Sequence, residues 1–480
     1  MSFQNAVSQQ PGQITLSPQL PSWSPHSYQE TGIKLLLGQG AAALFLDPGL
    51  GKTTICLASF KILKKLDYAK KMLVVAPLRP CYKVWPEEIK KWAEFRGLTY
   101  TILHGKDKQK NLESDVDFYI INPEGLAWLF APNQLKRPQF DILCIDESSK
   151  FKNSTTQRFK LLKPLLPSFA RRWILTGTPV PNGLTDLFGQ IYILDMGASL
   201  GRYITHYRRE FFDQSGYGGY DYIPKSDAFA RIVERIKPLV LQLSAEDHLN
   251  MPEMICQNIV VDLPSETMKL YKQIEDAFYA EMDGIAGTAR IVAANAAVAG
   301  GKCRQIANGA VYSSLDTDIP GRVNYSIIHE EKLDALEDLI EQLGGKPLLV
   351  LYEFQHDRER ILKRFPGAEV LGSGISMKRT DDIIDRFNAG KIQLLLGHPD
   401  SMGHGLNLQG SCHHVCWFGI TWNLDFHDQA NARVYRQGQR ADSVFIYYLV
   451  ASGTLDEKVL KVLTAKDRTQ QSLLNALGES

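Results

Sequence analysis

The run Asp47-Pro48-Gly49-Leu50-Gly51-Lys52-Thr53-Thr54 follows an apolar stretch, residues 41–46, and opens a helical pattern. A strand, a glycine-rich turn and a helix in that order build a phosphate cradle. Gly49 and Gly51 let backbone N–H groups close around phosphate oxygens, Lys52 supplies a point charge, Thr53 offers a hydroxyl to magnesium, and the helix N-terminus adds its dipole. Asp47, Pro48, Leu50 and Thr54 complete the loop, Asp47 shaping it ahead of the proline. The expected ligand is a nucleoside triphosphate. The longer form of the motif has a Gly where this chain has Leu46, so the match is to the shorter Gly-x-Gly-Lys-Thr version.

A second stretch, Phe140-Asp141-Ile142-Leu143-Cys144-Ile145-Asp146-Glu147-Ser148-Ser149, is an apolar run ending in two acids. The acids fall at the carboxyl end of a strand, where ligands collect in open α/β sheets. Asp146 is expected to hold magnesium and Glu147 to orient and deprotonate an attacking water. With both acids behind the phosphate loop, hydrolysis is expected, not binding alone.

At 480 residues the chain exceeds the size at which single cores stop growing, so two domains are expected, with room for an insertion. Hydrophobic residues make up 44% and charged residues 22%, an ordinary soluble composition that argues against general disorder. No apolar stretch reaches the roughly 20 residues of a membrane span, and residues 1–21 lack a basic region followed by an apolar one. A cytoplasmic protein is therefore expected, with no membrane partner. Seven scattered cysteines form no disulfide framework, which fits a reducing compartment. The net charge of +1 announces no global field toward nucleic acid, although a local basic groove is compatible with it. The lysines at 61, 64, 65, 70 and 71 are assigned to a solvated helix face.

Along the first half, short β-rich runs at 43–46, 72–76, 100–103, 118–122, 142–145 and 173–176 alternate with helical segments, the pattern of a parallel sheet wrapped by helices. Cys56, Phe60 and Leu63 fall at i, i+4 and i+7 on one face of the helix after Lys52. The second half repeats the scheme at 347–352, 369–371, 392–396, 415–418 and 444–449. Between them, 264–282 and 286–306 are helical in composition. The fold expected is α/β, two parallel-sheet units in tandem with a helical insertion between them. The division drawn is a polar segment 1–23, a nucleotide-binding unit 24–255, an insertion and linker 256–330, and a second unit 331–480. The Gly- and Tyr-rich stretch 211–222 is taken as a surface loop, although Tyr217, Tyr220 and Tyr222 have the character of base-stacking residues.

The second half carries its own constellation. Ser401-Met402-Gly403-His404-Gly405-Leu406-Asn407-Leu408 is a polar turn after a buried strand, followed by Gln429-Ala430-Asn431-Ala432-Arg433-Val434-Tyr435-Arg436-Gln437-Gly438-Gln439. On a helix, Arg433 and Arg436 share a face. Two such guanidinium groups can clamp a γ-phosphate and neutralise the charge that develops in its transfer.

Taken in order, these segments resemble the motif series of superfamily-two helicase-like ATPases, most closely the Swi/Snf-type double-stranded DNA translocases, over nearly the whole chain from His26 onward. The resemblance implies two RecA-like lobes closing on ATP and magnesium. His26-Ser27-Tyr28-Gln29-Glu30 is similar to the family's adenine-reading segment, which implies that Gln29 reads the base edge. Ala76-Pro77-Leu78, with Trp85, Glu88 and Trp92 after it, resembles the turn that touches the DNA backbone in relatives, which implies nucleic-acid contacts at Pro77, Leu78 and Arg79. Leu175-Thr176-Gly177-Thr178-Pro179-Val180-Pro181-Asn182 is similar to the segment that couples hydrolysis to lobe movement, and Thr178 is included among the nucleic-acid contacts. Leu349-Val350-Leu351-Tyr352 resembles the opening strand of the second lobe. Gly405-Leu406-Asn407-Leu408 resembles its phosphate- and DNA-sensing turn, which implies Gly405 at the nucleotide and Ser401, Gly403 and Asn407 at DNA. Trp422-Asn423 before Gln429 fits the same series, and Arg433 and Arg436 match the two arginines that relatives point at ATP.

Four departures qualify the likeness. Asp-Glu-Ser-Ser replaces the usual Asp-Glu-x-His, His404 stands for a second Gly, Tyr435 for a His, and Leu239-Val240-Leu241 for a Leu-Arg-Arg brace. The function implied is ATP-dependent translocation on duplex or branched DNA by a compact bacterial or bacteriophage-type member. It is expected to act as a monomer in bacterial or phage-infected cytoplasm, with nucleosomes not expected as partners. A strand-separating DNA or RNA helicase and a catalytically idle DNA clamp are the alternatives. Cys412-His413-His414-Val415-Cys416 is not taken as a zinc site, because a strand splays neighbouring side chains onto opposite faces.

Overall fold

The computed structural model describes residues 20–134, 137–215, 221–284, 289–312, 324–372, 374–402 and 406–478. Its first half is a seven-stranded parallel sheet, in the spatial order Tyr100–Ile102, Phe118–Ile121, Met72–Val75, Ile142–Asp146, Arg171–Thr176, Ala41–Leu46 and Val240–Leu243. Its second half is a six-stranded parallel sheet, in the order Glu253–Val261, Ser443–Ala451, His414–Trp417, Leu348–Leu351, Leu394–Gly397 and Glu369–Leu371. Every strand run expected from the sequence is present.

The continuous apolar runs follow from burial on both faces. Met72, Val74, Ile142 and Cys144 pack into one layer, and Leu73, Val75, Leu143 and Ile145 into the other. The second sheet divides in the same way, with Leu349, Leu351, Val415 and Trp417 opposite Leu348, Val350, Cys416 and Phe418. The run from Cys412 to Cys416 thus enters a strand at His414, and its neighbours point to opposite faces.

The stretch 211–222, expected as a surface loop, instead contributes to an antiparallel strand pair, Phe212–Ser215 with Asp221–Pro224, and in the two parallel sheets two strands carry no clear sequence signal. Val240–Leu243 spans the position expected for an arginine brace and instead pairs with Ala41–Leu46 at the sheet edge. Glu253–Val261 pairs along its whole length with Ser443–Ala451, so the chain has already crossed into the second sheet before residue 256. It is exposed on both faces over most of its length, with Glu253, Gln257 and Asn258 among the exposed residues, which hides the β pattern.

The expected helical insertion is present as Ser265–Gly284 and Ala289–Asn308. It is fastened to the second half by a buried polar network. Fully buried Lys332 Nζ donates to Asn308 Oδ1 at 2.8 Å, to the carbonyl of Phe418 at 3.2 Å and to Asp456 Oδ2 at 2.7 Å. Three partners satisfy all three ammonium protons, without which the buried charge would be strongly destabilising.

The last helix, Leu455–Gly478, ties the halves together. Val459 and Leu463 lie in the second-half core, and Leu473, Leu474 and Leu477 in the first-half core. Twenty-four residues at ~1.5 Å each give the reach needed to span both. Among the described residues no helix is long and apolar enough to cross a membrane.

Candidate active site

The phosphate loop leaves the carboxyl end of Ala41–Leu46 and enters the helix Lys52–Lys65. Gly49 (φ 95°) and Gly51 (φ 79°) hold left-handed backbone, as the tight turn requires. A Cβ on Gly51 would also collide with Gln29 Nε2 and lie 2.8 Å from Thr54 Oγ1. Lys52 Nζ folds back to donate to the carbonyls of Leu46 at 2.5 Å and Asp47 at 3.3 Å. Burial pushes its ammonium below the ordinary value, while Glu147, Asp146 and Asp47 pull it back up. Asp47 accepts from the amide of Ala245 at 2.9 Å and so anchors the loop to the segment after the sheet edge.

Gln29 stands behind the loop. Its Oε1 accepts from the His26 amide at 3.0 Å and its Nε2 donates to the Leu50 carbonyl at 3.2 Å, so its amide braces the loop backbone. Tyr28 beside it stacks on His26 and on His248, at 5.4 and 4.8 Å between ring centres.

Asp146 ends its strand half-buried and accepts from Trp85 Nε1 at 3.0 Å. Trp85 is itself fully buried, and its indole N–H is what the sequence did not assign. Burial pushes the Asp146 carboxyl up to about 6, against the Trp85 hydrogen bond, which favours the charged form. A divalent cation would supply the missing compensation. The donor set fits magnesium: Thr53 and Asp146 line one cleft and offer hard oxygens. Among the described residues no group of three or more His, Cys, Asp or Glu could hold a metal ion. Magnesium typically takes one or two protein carboxylates and completes its shell with water and phosphate.

Glu147 has a left-handed backbone, φ 67° and ψ 63°, uncommon for a residue with a Cβ and a place where strain gathers at functional sites. Its Oε1 accepts from Ser149 Oγ at 2.9 Å and from Thr176 Oγ1 at 3.0 Å.

The opposite wall comes from the second half. Arg433 Nε donates to the Gln429 carbonyl at 2.7 Å and Nη1 to the Leu406 carbonyl at 3.3 Å. Arg436 Nη1 donates to the Leu406 carbonyl and to Asn407 Oδ1. Burial, then repulsion from Arg436, pushes the Arg433 guanidinium down to about 9, with Glu147 acting the other way. Burial likewise lowers Arg436, whose Nε has no hydrogen-bond partner. Neither arginine forms a carboxylate ion pair among the described residues. Lys52, Thr53, Asp146, Glu147, Arg433 and Arg436 all face one cleft of about 810 Å³.

The expected nucleic-acid residues are divided. Thr178 and Asn407 both line this cleft: Thr178 is buried and donates to Asp425 Oδ1 at 2.6 Å, whereas Asn407 is exposed and its Oδ1 accepts from Arg436. Pro77 precedes the short helix Leu78–Tyr82, with Leu78 exposed. Arg79 pairs with Asp381 of the second half at 3.1 Å, joined by Lys83 at 2.6 Å. Ser401 is exposed in a 3₁₀ turn, Pro399–Met402. Gly403 and Gly405, like Tyr217 and Tyr220, lie outside the described residues.

With this geometry in view, the chain was compared with known proteins. A model of the SNF2-related domain matches residues 28–310, and one of the helicase conserved C-terminal domain matches 331–438. The chain belongs to the SNF2-related family. A relative, protein p41 of Acyrthosiphon pisum secondary endosymbiont phage 1, is 33% identical over 95% of this chain and 99% of its own length. The ATP-dependent helicase YqhH of Bacillus subtilis is 23% identical over 96% of this chain and 81% of its own. The DNA repair and recombination protein RAD54-like of Drosophila persimilis is 25% identical over 89% of this chain, which spans 60% of that longer relative. Among solved structures, the Sulfolobus solfataricus SWI2/SNF2 ATPase core in complex with dsDNA superposes with a TM-score of 0.44 at 24% identity, covering 97% of each chain. This SNF2-related protein is thus a helicase-like ATPase with two RecA-like lobes; the first family segment covers the whole first sheet and the strand Glu253–Val261 of the second, and the other covers the four strands of the second sheet between Leu348 and Trp417.

Proposed function

We propose that this SNF2-related ATPase is a DNA translocase, hydrolysing ATP in the cleft between its lobes and moving along duplex or branched DNA by alternating grip. The observation that carries the reading is the pair of guanidinium groups, buried Arg433 and half-buried Arg436, facing Lys52 and Glu147 without carboxylate partners of their own among the described residues. A triphosphate is the anion that arrangement lacks.

In this reading Lys52 exchanges its loop carbonyls for phosphate oxygens, and the loop amides after Gly49 cradle the rest. Thr53 and Asp146 would hold magnesium, which supplies charge neutralisation at the phosphates when bound. Glu147 orients a water and takes its proton as the water oxygen attacks the γ-phosphorus and the bond to ADP breaks. Arg433 and Arg436 neutralise the charge that grows on the γ-phosphoryl group. Hydrolysis removes the ligand that holds the walls together, so the lobes part and close once per turnover.

DNA as the track is supported by the RAD54-like relatives, DNA repair and recombination proteins by name. The first lobe, drawn at 24–255, is better ended before Glu253, where the second sheet begins. A monomer in bacterial or phage-infected cytoplasm remains the reading.

Displacement of a third strand from a triplex tests movement without unwinding. ATP-dependent release, with the underlying duplex intact, is the expected result. Release only from single-stranded tracks, or separation of the duplex at the same rate, would favour a helicase instead.

A further inference from the structure

The hydrogen bonds around Glu147 form a closed ring whose far side is Asp425, the one member contributed by the second lobe. Asp425 opens the helix Leu424–Asn431, fixed there by the Asn423 side chain, which accepts from the amides of Asp425 and Phe426. It is buried, and its two oxygens reach Glu147 by separate arms. Oδ2 lies 3.3 Å from Ser149 Oγ, whose hydroxyl is 2.9 Å from Glu147 Oε1. Oδ1 accepts from Thr178 Oγ1 at 2.6 Å, the Thr178 amide donates to Thr176 Oγ1 at 3.1 Å, and the Thr176 hydroxyl donates to the same Glu147 Oε1 at 3.0 Å. Both arms end on one carboxylate oxygen.

Each hydroxyl has a single proton, which sets the directions. Thr178 gives its proton to Asp425 and Thr176 gives its proton to Glu147. The proton of Ser149 has two carboxylates in reach, one from each lobe. Gln429 Nε2 also donates to Asp425 Oδ1 at 2.6 Å, and the Gln429 carbonyl accepts from Arg433, so Asp425 connects the expected base with the expected finger. Neither Ser149 nor Asp425 lines the cleft, so neither is placed to touch the nucleotide.

We infer that Asp425 is a positioning residue through which docking of the second lobe aims the Glu147 carboxylate, with Ser149 as its direct link. The inference rests on the reading of Glu147 as the base. Parting of the lobes withdraws Asp425 and removes the far anchor of both arms at once; Ser149 and Thr178 then lose the fixed partner that keeps the ring in register. Closure restores it, so water activation is tied to the presence of the second lobe. Ser149 makes this ring possible, because its short hydroxyl can touch acceptors on both sides.

The test is a double-mutant cycle in the full chain with duplex DNA, reading kcat, KM for ATP and the single-turnover cleavage step. Asp425→Asn keeps the volume and an acceptor for Thr178 while placing an amide nitrogen in the Ser149 arm; Ser149→Ala deletes the same arm from the other lobe. Each is expected to lower kcat by up to about 100-fold, the cost of a ~1 Å misplacement, with KM unchanged. The double variant is expected to be no slower than the slower single one, because both break one arm. Losses that multiply, or that appear in KM, would overturn the inference. If Asp425→Asn fails to fold, Ser149→Ala alone decides: full kcat would overturn it. Glu147→Gln measured alongside separates the two levels, since steady hydrolysis by that variant removes the base assignment itself, whereas an inactive Glu147→Gln beside multiplying losses removes only the role of Asp425.

Discussion

Glu147→Gln is expected to bind ATP and yet lose steady-state hydrolysis by about 10²- to 10⁴-fold, the range that a positioned general base supplies. The amide has the volume of the carboxylate, and its oxygen can still accept from Ser149 and Thr176, so the ring around the residue is kept. What it loses is the ability to take a proton. Binding should persist because Lys52, the loop amides and both arginines are untouched, and one negative charge fewer near the phosphates favours an anionic ligand. Phosphate release and binding of a fluorescent ATP analogue, measured on the same preparation, separate the two effects. Hydrolysis within about tenfold of the parent would mean that another group takes the proton.

Arg436→Ala is expected to slow turnover by about 10³- to 10⁵-fold, or ~4–7 kcal/mol of transition-state stabilisation, with a much smaller change in ATP affinity. The half-buried residue packs against the Leu406 carbonyl and Asn407, an arrangement that costs desolvation and returns no ion pair among the described residues, so the guanidinium is poised for an incoming anion. Arg433→Ala should act in the same direction; its guanidinium is within electrostatic reach of Glu147 and is held by the carbonyl of Gln429. Arg436→Lys keeps the charge but not the planar fork, and should fall between parent and alanine variant. Equal losses in kcat and in ATP binding would show uniform binding and argue against a transition-state role.

The parallel sheets were legible because strands buried on both faces are written as unbroken apolar runs, as at Met72–Val75 and Leu348–Leu351. Val240–Leu243 and Glu253–Val261 were not, because each is an edge strand with one partner, and partly exposed polar side chains break the apolar run. The phosphate loop was legible for a local reason: glycine and lysine spacing within eight residues dictates the cradle. The arginine pair was found by a helical spacing that the structure does not keep: the helix ends at Asn431, and Arg433 and Arg436 lie in the turns that follow it. What could not be read was the pairing between distant segments. Nothing in the sequence near Trp85 says that its indole meets Asp146, and nothing near Asp425 says that it meets Ser149, 276 residues away. The bond from Thr178 to Asp425 was hidden for the same reason, since its two partners lie 247 residues apart.

The central claim is that two lobes complete one ATP site whose turnover answers to duplex DNA. Phosphate release at saturating ATP, measured without nucleic acid and then with duplex DNA, single-stranded DNA or RNA, tests it most directly. Clear stimulation by duplex DNA, absent in Arg436→Ala, is the expected result; stimulation by RNA alone, or hydrolysis that survives loss of the second-lobe arginines, would contradict it.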